Sequence, residues 1–292
     1  MSNGGNTCIP DWEHVSFSYY KYVPSLAAAS IFAALFFLSL AGHSFQLLNF
    51  KAWFLMPLVV GCLFEFVGFI GRAVSANQKP GCWTETPYLV QTMFILLAPA
   101  LFAASIYMSL GRIIELLDGE KHSIIKRRWL TKIFVIGDVI CFLLLAGGGG
   151  MLTSAKDNKS AFDAGNNIII GGLVLQLLWF GFFVAIALVF HRRMNLAPTA
   201  RSQQQPDMRW RSYLHALYVA STLIIIRNVF RLIEYCQGSG GYLLTTEAFV
   251  YCLDALPMFL VVVWLHWKYP GQMSPLLQKQ SLYSNPMQQI PV

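Results

Sequence analysis

Arg227-Asn228-Val229-Phe230-Arg231-Leu232-Ile233-Glu234 puts two arginines and a glutamate inside an apolar stretch. An arginine at the centre of a bilayer costs about 2.5 to 3.5 kcal/mol on insertion scales, so such groups need partners or a hydrated cavity. On an α-helix, positions 227, 231 and 234 fall within about 60° of one another and form one polar stripe. Guanidinium forks bind carboxylates and phosphates, and carboxylates bind amines, so the chemistry on offer is recognition or gating by charge.

Two other stretches carry matching groups. Glu65 and Arg72 are seven residues apart, about 20° around a helix, and share a face. Gly61, Gly68 and Gly71 beside them let a neighbouring helix approach closely. Glu247 and Asp254 repeat the spacing ahead of Pro257, which is expected to kink its helix. At 1.5 Å per residue, Glu65 lies roughly 20 Å from the cytosolic end of its segment and Arg227 to Glu234 roughly 21 to 31 Å. All seven charges then fall in the outer half of a bilayer, which predicts a hydrated, outward-facing cluster of three arginines and four carboxylates. Either these groups pair to fix helix packing, or they form a ligand site or gate. Glu65 and Arg227, the deepest, are the first candidates for function; Arg72, Glu234 and Glu247 suit snorkelling or pairing at the rim.

The elements that must hold them follow from composition. Of 292 residues, 56% are apolar and only 12% charged, with a mean hydropathy of +0.53, which excludes an ordinary soluble domain. Seven apolar segments, 24–47, 52–75, 87–116, 130–152, 167–190, 213–235 and 244–267, are each near the roughly 20 residues that span a bilayer. The fold class predicted is all-α, a polytopic membrane protein of seven helices. Twelve Lys and Arg lie in the connections on one side and four on the other. The positive-inside rule then puts the N-terminus outside and the C-terminus in the cytosol. The net charge of +7 is accounted for by these loops, so nucleic acid is not an expected partner. The organisation expected is an extracellular segment 1–23, a membrane domain 24–270 and a mobile cytosolic tail 271–292. The loop 195–206 is expected to be mobile, and the sequon at Asn158 falls in a predicted external loop.

Within the third segment, Pro99 frees the carbonyl of Ile95 and is followed by small residues up to Tyr107, a suitable wall for a lipid-sized pocket or a tight packing seam. Asp138 is expected to join Arg112 in an inner polar group. Gln91 and Gln176 suit either a site or interhelical hydrogen bonding. Gly147 to Gly150 are too flexible for ideal helix and are not a phosphate loop, since no GK[ST] follows. Cys62, Cys141 and Cys252 read as core residues, whereas Cys8, Cys82 and Cys236 fall on the outer side, where a disulfide could form. The six histidines are scattered without metal spacing, His43 reads as a packing residue, and neither GxSxG nor a nucleotide motif occurs. No catalytic residue, metal or cofactor is expected.

Glu65-x-x-Gly68-x-x-x-Arg72, Ala98-Pro99-x-x-x-Ala103-Ala104-Ser105-x-Tyr107, Asp138, Gly148-Gly149-Gly150, Gly172-x-x-x-Gln176 and Arg227-Asn-Val-Phe-Arg231-x-x-Glu234, with Glu247 and Asp254, resemble the fungal lipid-translocating exporter family, the RTA-like proteins. The resemblance runs from about residue 22 to 270. It implies seven helices, a plasma or vacuolar-type membrane, and tolerance of sphingoid bases, sterol-like amines or porphyrins. The candidate ligand-binding residues are Glu65, Arg72, Tyr107, Gln176, Arg227, Arg231, Glu234, Glu247 and Asp254, and the expected partners are membrane lipids or amphiphilic small molecules. A translocator at the plasma membrane is the leading expectation; a receptor or membrane-stress sensor, and an intramembrane lipid hydrolase or haem-binding protein, are the alternatives.

Overall fold

The computed structural model describes residues 8, 12, 19–154, 159–204, 210–238 and 241–277. Asn158, residues 205–206 of the loop 195–206, and residues 278–292 of the expected tail lie outside them. Seven helical segments are long and apolar enough to cross a membrane, and no strand occurs among the described residues. They are α1 (Leu26–Phe50), α2 (Met56–Ala76), α3 (Glu85–Leu116), α4 (Arg127–Ser154), α5 (Lys159–Leu196), α6 (Trp210–Gln237) and α7 (Glu247–Leu277). The seven-helix, all-α architecture is therefore as expected. The fifth helix runs well past the expected 167–190, since 38 residues extend about 57 Å and the apolar run marks only the hydrocarbon-embedded part.

Local signals set the ends. Ser25 caps α1 by accepting from the Ala28 amide, and Lys51 ends it in a left-handed turn with φ 49°. Pro57 sits in the first turn of α2, where its missing N–H costs nothing. α3 is the central helix: half of its most apolar window is buried, against 17% for α1, and it packs against α2, α4, α5 and α6. The outward faces carry Phe37, Leu38, Phe45, Leu143, Leu178 and Trp267, an apolar belt suited to lipid. Cys62 and Cys141 are buried as expected, but Cys252 is exposed on that outer face. His43 is buried on α1 and bonded through Nε2 to the Val262 carbonyl on α7, a packing role.

The glycine run 147–150 is regular helix, contrary to expectation, because one member has a packing task. A Cβ on Gly148 would lie 2.8 Å from the Gly165 carbonyl oxygen and 2.7 Å from Ile169 Cγ1, so α4 and α5 meet there almost backbone to backbone. Gly147 faces open space. Gly148→Ala is expected to lower stability by about 1 to 3 kcal/mol through overpacking. Gly147→Ala, in a helical conformation that alanine favours, is expected to raise it by about 0.4 to 1 kcal/mol. Thermal unfolding in detergent micelles tests both, and equal effects would contradict the assignment.

Candidate functional site

Arg227 is fully buried on α6, and each nitrogen of its guanidinium has a partner, two of them on other helices. Nε donates to Asp254 Oδ1 at 2.6 Å, Nη1 to Asn228 Oδ1 at 3.4 Å, and Nη2 to the Ile95 carbonyl at 3.3 Å. That carbonyl is the one Pro99 leaves without its helical donor. Proline in α3 and arginine in α6 thus complete one another, which tethers α3, α6 and α7 at one point. Arg231, one turn on, donates from Nη2 to Asp254 Oδ2 and from Nη1 to Glu234 Oε2 at 2.9 Å. Asp254 therefore bridges two arginines with its two oxygens, the bidentate use to which a carboxylate is suited.

Asp254 lies in a π-helical stretch, Val250–Ala255, immediately before Pro257. The irregularity in α7 is this wider turn ahead of Pro257, which the sequence reading did not include. Such turns shift every following side chain around the axis and recur at functional positions.

Glu65 is buried on α2, 1% exposed, and neither carboxylate oxygen has a hydrogen-bond partner. It lies within electrostatic reach of Arg227, Arg231 and Asp254. The glycines one turn either side explain its depth. A Cβ at Gly61 would meet Phe102 at 2.5 Å and one at Gly68 would meet Ile95 at 2.6 Å, so α2 is drawn tightly onto α3 around the carboxyl.

The remaining charges form a separate outer group. Arg72 donates to Glu247 Oε1 at 2.9 Å, to the Tyr22 hydroxyl at 2.8 Å and to the Tyr251 hydroxyl at 2.9 Å, and its guanidinium stands 5.1 Å from the Tyr251 ring centroid. Glu247 also accepts from the Ser25 amide at 2.9 and 3.0 Å. Tyr20 donates to Gln91 Oε1 at 2.7 Å and packs on Trp83 and Tyr88. Burial raises the pKa of the Tyr20 hydroxyl above the ordinary tyrosine value, against smaller contributions from Ser75 and Arg72, which keeps it a donor. Cys8 is disulfide-bonded to Cys82, with Cα atoms 4.3 Å apart, while Cys236 is free and exposed. Residues 19–25 are thereby laid across the ends of α2, α3 and α7.

Of the nine candidate residues, Arg227, Arg231, Glu234 and Asp254 share one ion-pair group, Glu65 adjoins it, and Arg72 and Glu247 form another. Tyr107 and Gln176 are bonded to neither group. Tyr107 is buried against Phe134, Phe180 and Phe183 with its hydroxyl towards Asp138, and the Gln176 carbonyl oxygen is buried without a hydrogen-bond partner. Two corrections follow. The groups are buried rather than open to the outside: Glu65, Arg72, Arg227, Glu234 and Asp254 are each 3% exposed or less, and Tyr22 and Ser25 of the N-terminal segment bond the Arg72 and Glu247 pair. Asp138 does not join Arg112: that arginine turns along its own helix to Glu115 at 2.7 Å and onto the Phe54 ring. Sequence reasoning missed Tyr20, Tyr22 and Tyr251. The spacing of Tyr251, four residues after Glu247, was the one available signal.

The profile described as RTA1 like protein matches residues 58–276, which contain both charge groups apart from their N-terminal partners. Protein RTA1 of Saccharomyces cerevisiae is 35% identical over 274 residues, covering 85% of this chain and 83% of that protein. Protoporphyrin uptake protein 1 of the same yeast is 32% identical over 282 residues, covering 85% and 90%. Sphingoid long-chain base transporter RSB1, also of S. cerevisiae, is 27% identical over 309 residues, covering 93% and 80%. No solved structure matches. Seven spans, the profile match over both charge groups and identity along most of the relatives' length leave one assignment: the chain belongs to the RTA1-like family of fungal multi-pass membrane proteins.

Proposed function

We propose that this protein translocates amphiphilic molecules across the membrane, with the group around Arg227, Arg231, Asp254 and Glu65 as its charge-selective gate. Relatives named for a sphingoid base and for protoporphyrin support an amphiphilic cargo with a charged head. The loop charges support an orientation in which residues 1–23 face outward, 24–270 form the membrane domain and 271–292 face the cytosol; the plasma membrane is the proposed location. Seated under the N-terminal segment, the outer Arg72 and Glu247 pair would close the exit.

Glu65 carries this reading. Every guanidinium nitrogen of Arg227 has a partner, yet the Glu65 carboxyl is buried in the same charged region with both oxygens unpartnered. A buried carboxyl of that kind suits a ligand's polar head. Glu65→Gln keeps shape and removes the capacity to ionise, so it is expected to leave the unfolding temperature unchanged while lowering transport at least tenfold. The assay is movement of a labelled long-chain amine across proteoliposomes, with protein-free vesicles as the baseline. Wild-type rates from the variant would remove Glu65 from the gate. Binding by the wild type without movement would point instead to a sensor.

A further inference from the structure

The two arginines of the inner group already have two carboxylates. Asp254 bonds both guanidiniums, and Glu234 bonds Arg231. Facing Glu65 are Arg227 and Arg231 from α6 and Asp254 from α7, with Cys62 one turn away on α2 itself. From α3, Ile95, Ala98 and Phe102 come nearest to the flanking glycines. An ionised Glu65 would therefore add a third negative charge to a closed, balanced site, with no N–H or O–H directed at either oxygen. Burying an unpaired charge in that way is among the most costly arrangements a membrane interior can hold.

Resting on the translocator reading above, we propose that Glu65 is a one-proton exchange site: the closed cluster holds it as a neutral acid, and a monovalent cationic head group entering the cluster replaces that proton. The step balances. The carboxyl O–H bond breaks with its electron pair left on oxygen, the proton leaves to the compartment from which the cation came, and the carboxylate pairs with the cation. When the cation departs on the far side, a proton from that side restores the acid. The cluster's net charge is the same before and after, so the exchange adds no charge to the membrane interior. The exchange also supplies a driving force, since no nucleotide motif occurs in the chain.

A permanently charged probe, a long-chain trimethylammonium amphiphile, isolates the effect because it has no proton of its own to release. Mixed with purified wild-type protein in weakly buffered detergent, it is expected to release one proton per site, and none from Glu65→Gln. Infrared spectra of the free protein should contain the C=O stretch of a protonated, weakly hydrogen-bonded carboxyl, absent from the same variant. In wild-type proteoliposomes a gradient of one pH unit should drive about tenfold accumulation of the probe on the acidic side. Transport that ignores the gradient, with no proton release and no Glu65-dependent band, overturns the exchange while leaving translocation intact. No transport under any gradient overturns the translocator reading, and proton release with the infrared band then still decides whether Glu65 exchanges.

Discussion

Arg227→Ala is expected to destabilise the helical bundle by about 3 to 5 kcal/mol, the cost typical of breaking a buried ion pair by removing one partner. Three partners lose their donor together. Asp254 keeps Arg231, but Asn228 and, above all, the Ile95 carbonyl are left buried without a replacement. Arg227→Lys should recover only part of the loss, because an ammonium can follow Asp254 but not span to Ile95 at the same time. Pro99→Ala supplies the cross-check. It returns a helical donor to the Ile95 carbonyl, so in the double variant the loss should be smaller than the sum of the two single effects by about 0.5 kcal/mol or more. Unfolding temperatures in detergent report all four proteins, and a loss under about 1 kcal/mol for Arg227→Ala would mean that water or a rearranged side chain replaces the guanidinium. The expected loss of fold also makes Arg227 a poor probe of transport. Glu65 is the better one, since it tethers nothing.

The second large effect concerns the end of the bundle that carries residues 19–25. Cys8→Ser is expected to cost about 2 to 4 kcal/mol and to expose the N-terminal segment to protease. Cys8 and Cys82 are 74 residues apart, and a loop of that size would be worth about 4.5 kcal/mol on the chain-entropy estimate. α1 and α2 lie within the loop and stay inserted when the bundle loosens, so the smaller figure is the one expected. Cys82→Ser and the double variant should match Cys8→Ser within about 0.5 kcal/mol, because all three remove one bond. Cys236→Ser, which alters a free exposed thiol, serves as the silent control. Unfolding temperature and cleavage near residues 19–25 measure the outcome; different values for the two single variants would mean that each cysteine has a role beyond the bond.

Helix number was legible because an apolar run of about 20 residues has few other fates. The membership of the charged region was legible too, since spacing of three, four or seven fixes a helix face. Pairing was not. Whether Arg72 meets Glu65 on its own face or Glu247 on α7 depends on how two helices rotate and slide by fractions of a turn, which no single segment encodes. The π turn in α7 adds such a rotation within one helix, and the carbonyl at Ile95 was identifiable as freed, but not that an arginine 132 residues later would reach it. Arg112 illustrates the opposite error: at the end of α3 a local acidic neighbour, Glu115, outcompetes a distant one.

The long sequence separations in these bonds impose an order on biogenesis. Arg72 is translated well before Glu247 and Tyr251, and Arg227 and Arg231 before Asp254. Arg72 and Arg227 must therefore enter the lipid, or wait beside the insertion machinery, until the seventh helix arrives with their counter-charges, whereas Arg231 has Glu234 on its own helix. The same arrival lets Glu247 clasp the amide of Ser25 at the start of α1, joining the first helix to the last. A nascent chain stopped before residue 247 would thus present Arg72 and Arg227 without their carboxylates, a state that quality control can distinguish from the finished protein by charge alone.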